Sequence, residues 1–293
     1  MKLNVILTHR CNLRCNHCYM IDQLDNNNDE ILCLNRWIEL VNKFKELHVD
    51  SVNFTGGEVT LSENLMDAIN LCNNKNIPFS IFTNGQKVSE HVMRNCDEFY
   101  VSVDGTKDVH DVIRNKCGAF DSLEKTLLEM TRLGKKIHIQ TTVNKMNIDH
   151  LDELLFLFDT VYPSLCGLNI VSVTNEGNAF RNNITINPTD YNKIFDFKKK
   201  LLEHFDYRLS VKTNLFSLDE LYKFVLIKKA HFPVWVDLCD NTSYVFSKEN
   251  SIDINEANYD WIISTENVIK DKIRMIVSSE HALFFNLENV LKY

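Results

Sequence analysis

Glycine and proline are scarce, 8 and 4 among 293 residues. That scarcity excludes a linker-rich chain, a collagen-like repeat and an all-β repeat protein, all of which depend on those residues. Long apolar runs are missing too. None approaches the roughly 20 residues that span a bilayer. The N-terminal MKLNVILTHRCNLRC has no apolar core followed by a small-residue cleavage site. Neither a membrane partner nor a secretory signal is expected, and the chain reads as cytoplasmic. A basic surplus is absent as well. The formal net charge of −8 argues against a nucleic-acid partner, because phosphate binding needs lysine and arginine. What is present is a globular composition, 44% hydrophobic and 25% charged, which excludes disorder. Cysteine is plentiful at nine. An odd count in a reducing compartment points to metal, redox or core use rather than a disulfide framework.

The first two-thirds of the chain alternates strands and helices. Strands are expected at Lys2–Thr8, Asp50–Thr55, Phe79–Thr83, Phe99–Val103, Lys136–Val143 and Leu168–Val173. Helices are expected at Leu34–Leu47, Glu63–Asn74, Phe120–Leu133 (with Gly134 closing it) and Leu151–Phe158. This rhythm predicts an α/β protein with a parallel sheet, open or closed into a barrel, and a ligand at the C-terminal ends of its strands. The polar run Asp22–Glu30 reads as a mobile loop. Beyond about Ile186 the rhythm changes. Tyr191–His204 and Phe216–Lys229 read as helices and Thr242–Ile254 as a hairpin, while Asp260–Tyr293 has no clear pattern.

The residues with chemistry in them fall at those strand ends. Cys11, Cys15 and Cys18 form a C-x3-C-x2-C array just after the first strand. Three thiolates within eight residues suit one metal centre. A structural zinc would want a fourth ligand, from His9 or His17. An iron–sulfur cube held by only three cysteines keeps one iron open for another ligand. Gly56-Gly57-Glu58 follows the second strand. Its paired glycines allow close backbone approach, and its carboxylate suits an ammonium group, although a plain strand-to-helix turn is the simpler reading. Ser102 and Asp104 are two apart on one strand face. Arg114 suits a carboxylate through its planar fork, or else makes an exposed helix ion pair.

The cysteine array, with Tyr19 directly after it, resembles the cluster motif of radical S-adenosylmethionine (radical SAM) enzymes. The resemblance continues through Gly56-Gly57-Glu58, Thr83-Asn84-Gly85, Ser102-Val103-Asp104-Gly105 and His110-Asp111-Val112-Ile113-Arg114, and covers roughly Met1 to Val173. It implies a partial (β/α)6 barrel over residues 1–205 and a small α/β C-terminal extension over 206–293. It implies one [4Fe–4S] cluster on Cys11, Cys15 and Cys18, with SAM on its open iron, and an electron donor such as flavodoxin or ferredoxin. For SAM it implies Glu58 at the amine, Ser102 and Arg114 at the carboxylate, and Asp104 at its polar atoms. Asn84 and Asn144 would reach the ribose or adenine, Leu168 or Ile170 would pack on the adenine, and the backbone of His17 would meet the adenine amine.

The stretch opened by Cys239 looks like a trimmed form of the extension found in peptide-modifying members of that family. No cysteine follows Cys239, so a complete four-cysteine auxiliary site there is excluded. The reading is radical chemistry on a ribosomally made peptide, by α-carbon epimerisation or by crosslinking; for epimerisation Cys239 is the candidate hydrogen-atom donor, its other reading being a buried structural cysteine. The alternatives are a small-molecule substrate, such as a carbohydrate or nucleoside, and a non-catalytic zinc-binding interaction protein.

Overall fold

The computed structural model describes residues 2–24, 30–44, 47–161, 165–206 and 208–217, and the short segments 234–237, 242–245, 252–253, 265–267, 269 and 284–286. In chain order the strands are β1 (Lys2–Thr8), β2 (Ser51–Gly56), β3 (Phe79–Thr83), β4 (Glu98–Ser102), β5 (Lys136–Val143), β6 (Leu165–Ser172), β7 (Ser210–Thr213), β8 (Leu215–Ser217), β9 (Val234–Asp237), β10 (Thr242–Val245), β11 (Ile252–Asp253) and β12 (Phe284–Asn286). The helices are α1 (Glu30–Lys43), α2 (Leu65–Lys75), α3 (Glu90–Asn95), α4 (Lys107–Arg114), α5 (Ala119–Arg132), α6 (Glu153–Val161), α7 (Gly177–Arg181) and α8 (Tyr191–His204). The described chain folds as two compact units: residues 1–10, 25–81 and 216–293, and residues 11–24 and 82–215.

In the first unit β1 lies between β2 and β9, parallel to both, and β2 pairs in parallel with β3. β10 runs antiparallel to β9, and β11 to β10. β8 and β12 form a separate two-stranded sheet. The core is made where α1 covers the sheet. Trp37, fully buried, meets Phe44 and Phe54 edge-on at centroid distances of 5.4 and 5.2 Å. Such pairs add roughly 0.5–1.5 kcal/mol beyond their area. The apolar stripe expected over Leu34–Leu47 is buried, but the helix carrying it starts at Glu30 and stops at Lys43. A polar row crosses the same unit: Asn53 Nδ2 donates to Asn4 Oδ1 at 2.7 Å and Ser80 Oγ donates to Asn53 Oδ1 at 2.5 Å.

In the second unit β4, β5, β6 and β7 are parallel neighbours. Alternation gives this sheet two different faces. Val101, Ile139, Leu168 and Ile170 point one way and are buried. Ser102, Gln140, Asn169 and Lys212 share one register row and point the other way. Helix α5 contributes Leu123, Leu127 and Met130 at helical spacing, all fully buried. It ends as expected at Gly134, which takes φ +66° just past the last turn.

Two expectations change. Phe216 and Ser217, read as the start of a helix, belong to the short strand β8, whose backbone pairs with β12 instead; the rest of Phe216–Lys229 lies outside the described residues. The hairpin expected over Thr242–Ile254 is present as the β10–β11 pair, but it is joined to β9, a strand not foreseen.

Candidate active site

The cysteine loop leaves β1 without regular structure, so its backbone groups need partners elsewhere. The loop spends some on itself: Cys18 N–H donates to Cys15 O at 3.2 Å, and Arg14 Nη1 donates to Cys11 O at 2.9 Å and Leu13 O at 2.8 Å. The C-terminal end of α4 takes one side. Asn16 donates through its backbone to Ile113 O and through Nδ2 to Val112 O, both at 2.8 Å, and Asn115 Nδ2 returns a bond to Arg14 O at 3.3 Å. Ile113 O is one of the carbonyls a helix end leaves without an intrahelical donor, and Val112 O also accepts the Asn115 N–H at 3.1 Å.

Helix α7 takes the other side. Asn178 N–H donates to Cys18 O at 2.9 Å, Asn178 Nδ2 to Cys15 O at 3.0 Å, and Asn182 Nδ2 to Asn16 O at 2.9 Å. Gly177 permits this approach. A Cβ there would stand 2.4 Å from Cys18 O, and its φ of +52° lies in the left-handed region. The loop is therefore held from both flanks mainly by bonds to its backbone, donated by backbone and asparagine amides.

Behind the loop lies a buried polar network centred on Asp104. Its Oδ1 accepts the Thr142 N–H at 2.9 Å, and Oδ2 stands 2.8 Å from Arg114 Nη2. Its own N–H donates to His110 Nδ1 at 3.2 Å, and its carbonyl accepts Asn147 Nδ2 at 2.8 Å. Burial would raise its pKa. The Arg114 guanidinium, with smaller contributions from His17, His110 and the Thr142 amide, holds it below the usual carboxylate range instead. His110 is fully buried, and burial pushes its pKa down to about 3. It is neutral, with Nδ1 as acceptor and the proton on Nε2. Asp111 points the opposite way and caps α5, accepting the Gly118 and Phe120 N–H groups at 2.7 Å each. His110 and Arg114, one turn apart on the same face of this short helix, both serve Asp104, while Asp111 faces away and caps α5. Arg114 is 6% exposed, which removes the exposed-ion-pair reading.

The thiols feel one another. Burial raises Cys15, opposed by Arg114, whose Nη1 lies 3.8 Å from the Cys15 Sγ. Cys18 is pushed up to about 12 by burial first, and then by Cys15 and Cys11. Thiolates here need a bound cation to exist at neutral pH. Among the described residues no three His, Cys, Asp or Glu side chains converge on a single ion. His17, one candidate for a fourth zinc ligand, has its Nδ1 3.9 Å from Asp104 Oδ2. The donor set, all sulfur and spread around a fixed loop, fits a multi-iron cluster better than one zinc ion.

The other expected residues divide. Asn84 donates from Nδ2 to Asn12 Oδ1 at 2.9 Å, within the cysteine loop, while its Oδ1 accepts the Gln86 N–H. Ser102 is half-buried at the end of β4, on the face shared with Asp104. Asn144 is fully buried, and both its amide atoms serve its own turn, Nδ2 to Thr142 O at 3.0 Å and Oδ1 from the Met146 N–H at 2.9 Å. Leu168 is placed differently from expectation. It is 1% exposed and shares the face of Val101 and Ile139, so its side chain is turned away from Ser102; Asn169 occupies that face instead.

Gly56, Gly57 and Glu58 belong to the first unit. There Gly57 N–H donates to Thr8 O at 2.9 Å and Glu58 N–H to Arg10 O at 2.7 Å. A Cβ on Gly57 would meet Arg10 O at 2.4 Å. The buried Glu58 carboxylate accepts the Thr60 N–H and hydroxyl, capping a short 3-10 turn. Cys239 lies outside the described residues. Gly177, Asn178, Asn182 and Asn147 were not foreseen. The scarcity of glycine was a signal for Gly177, whereas nothing local marks the asparagines.

The family model of the radical SAM superfamily matches residues 5–158, more than half of the sequence. The chain belongs to the radical SAM superfamily. Its cofactors are accordingly a [4Fe–4S] cluster and S-adenosylmethionine. Among curated proteins, it is similar to a cysteine-type anaerobic sulfatase-maturating enzyme of Clostridium novyi, 29% identical over 239 residues, covering 69% of this chain and 62% of that one. It is also similar to an Fe-coproporphyrin III synthase of Methanosarcina barkeri, 26% identical over 171 residues, covering 56% and 43%. The chain thus spans less than two-thirds of either relative. Among solved structures it resembles Streptococcus suis SuiB bound to its precursor peptide SuiA, with a TM-score of 0.71 and 14% identity, covering 89% of this chain and 64% of that one. That likeness shows the fold, the α/β architecture expected from the sequence.

Proposed function

We propose that this radical SAM enzyme acts on a ribosomally made peptide, inverting an α-carbon or forming a crosslink. When bound, the cluster and SAM supply a one-electron cleavage of the S–C5′ bond and a carbon radical able to take hydrogen from an unreactive position. The chain's share is to hold the thiols, orient SAM and exclude water. The observation that carries the chemistry is the cysteine loop, clamped on both flanks in front of the buried Asp104–Arg114 pair.

For SAM, the proposal keeps Glu58 at the amine and Ser102 and Arg114 at the carboxylate. Arg114 Nε is buried without a hydrogen-bond partner among the described residues, so one N–H of the guanidinium is available. Asp104, Asn84, Asn144 and the His17 backbone remain proposed neighbours of SAM. The division at residue 205, with 206–293 as an extension of the core, belongs to the same proposal.

The peptide reading is supported by one face of the second unit's sheet. Beside Ser102, the half-buried Gln140 and Asn169 stand side by side there, and neither side chain bonds to a described residue. Amide groups both donate and accept, which suits peptide amides. A sulfatase-maturating relative and the SuiB–SuiA likeness point the same way. For epimerisation, Cys239 S–H would return a hydrogen atom to the α-carbon, and one electron and one proton from a flavodoxin- or ferredoxin-type donor would restore the thiol. The likeness to an Fe-coproporphyrin III synthase favours a second reading, a small-molecule substrate. Mass spectrometry of the product formed in heavy water separates them. Epimerisation adds one deuterium to a peptide, crosslinking removes two hydrogens, and no change in any candidate peptide would defeat the proposal.

A further inference from the structure

Arg114 is the one side chain that touches both the polar network and a cysteine of the loop among the contacts described above. Its Nη2 lies 2.8 Å from Asp104 Oδ2, and its Nη1 points at Cys15 Sγ at 3.8 Å, within hydrogen-bonding range for sulfur. Cys15 is also the most buried of the three thiols, at 7% exposure. Asp104 is fully buried and fixed by the Thr142 amide at Oδ1 and by His110 and Asn147 through its backbone. The guanidinium cannot swing away from Cys15 without breaking a buried ion pair, which is strongly disfavoured. Only a planar fork spans a carboxylate and a sulfur at once; a lysine ammonium is a single point.

An N–H group aimed at a ligating sulfur draws electron density from it. It therefore favours the cluster state that holds the extra electron. A positive charge nearby acts in the same direction. We infer that Arg114, oriented by Asp104, sets the reduction potential of the cluster through an N–H···S hydrogen bond to Cys15, a tuning role distinct from its proposed contact with SAM. The inference rests on the cluster assignment above. It concerns the protein with no SAM added, so the two roles of Arg114 are measured apart.

The test is an EPR-monitored redox titration of anaerobically reconstituted protein without SAM, comparing wild type, Arg114→Met and the double variant Arg114→Met/Asp104→Asn. The double variant removes the ion pair with no change in net charge and leaves no buried charge unpaired. Its midpoint should still be more negative than that of wild type, which attributes the shift to the lost hydrogen bond rather than to lost charge. A wild-type midpoint in the double variant, at full iron content, overturns the inference while leaving the cluster reading intact. Wild-type protein that forms no [4Fe–4S] cluster defeats the cluster reading itself. A second measurement needs no altered Arg114. In protein labelled with guanidino-15N arginine, with Arg14→Lys as background, pulsed EPR of the reduced cluster should detect a coupled 15N nucleus. Absence of that coupling overturns the inference even where the variants fail to load iron.

Discussion

At the scale of single residues, the site depends on buried polar groups that pair with one another. Asp104 and Arg114 are 0% and 6% exposed. Removing one partner leaves the other charged and buried, which costs about 3–5 kcal/mol. Asp104→Ala should lower unfolding stability by about that amount in urea titrations, whereas the double replacement Arg114→Met/Asp104→Asn should cost much less. Equal losses would mean that the pair is not coupled. His110 gives a pH dependence. Its pKa falls from 6.5 to about 3 on folding, so the unfolded chain binds the extra proton first as pH drops. Its contribution is present above 6.5 and is lost as pH falls through the window toward 3, at a slope of up to about 1.4 kcal/mol per pH unit. Replacing His110 by Gln should reduce the slope of stability against pH in that window. An unchanged slope would show that His110 is not buried as a neutral ring. The identities of these residues were legible in the sequence, but their partners were not. Arg114 stood in a short charged helix that reads equally well as a solvated face, and only its meeting with Asp104 ten positions earlier buries it.

At the scale of elements, strands were easier to read than the short helices that matter here. β1 to β6 all announce themselves by alternation or by apolar runs, and α8 matches its expected limits, Tyr191–His204. Helix α7 has five residues and too few turns for any periodicity, yet together with its C-cap Asn182 it supplies three bonds to the cysteine loop. Its clamp is made by asparagine amides and one left-handed glycine, which carry no pattern until the chain is folded. Strand β9 was missed because its pairing with β1 is a contact across more than two hundred residues. Gly177→Ala should loosen the clamp, since the new methyl group meets Cys18 O in a strained backbone conformation. Iron content after reconstitution should drop relative to wild type, and Asn178→Ala should do the same more mildly, by losing a hydrogen bond worth about 0.5–1.5 kcal/mol. Full iron loading in both variants would show that the loop holds its shape unaided.

At the scale of the whole molecule, one proposal supports the rest: that Cys11, Cys15 and Cys18 bind a single [4Fe–4S] cluster whose open iron takes SAM. The family match and the all-sulfur donor set support it. The most direct measurement is iron content and EPR of anaerobically reconstituted, reduced protein, with and without SAM, beside a variant with all three cysteines changed to Ala. Wild type should carry about four irons per chain, with an EPR signal that shifts when SAM is added, and the triple variant should carry none. A triple variant that retains a cluster, or a wild-type signal indifferent to SAM, would contradict the account.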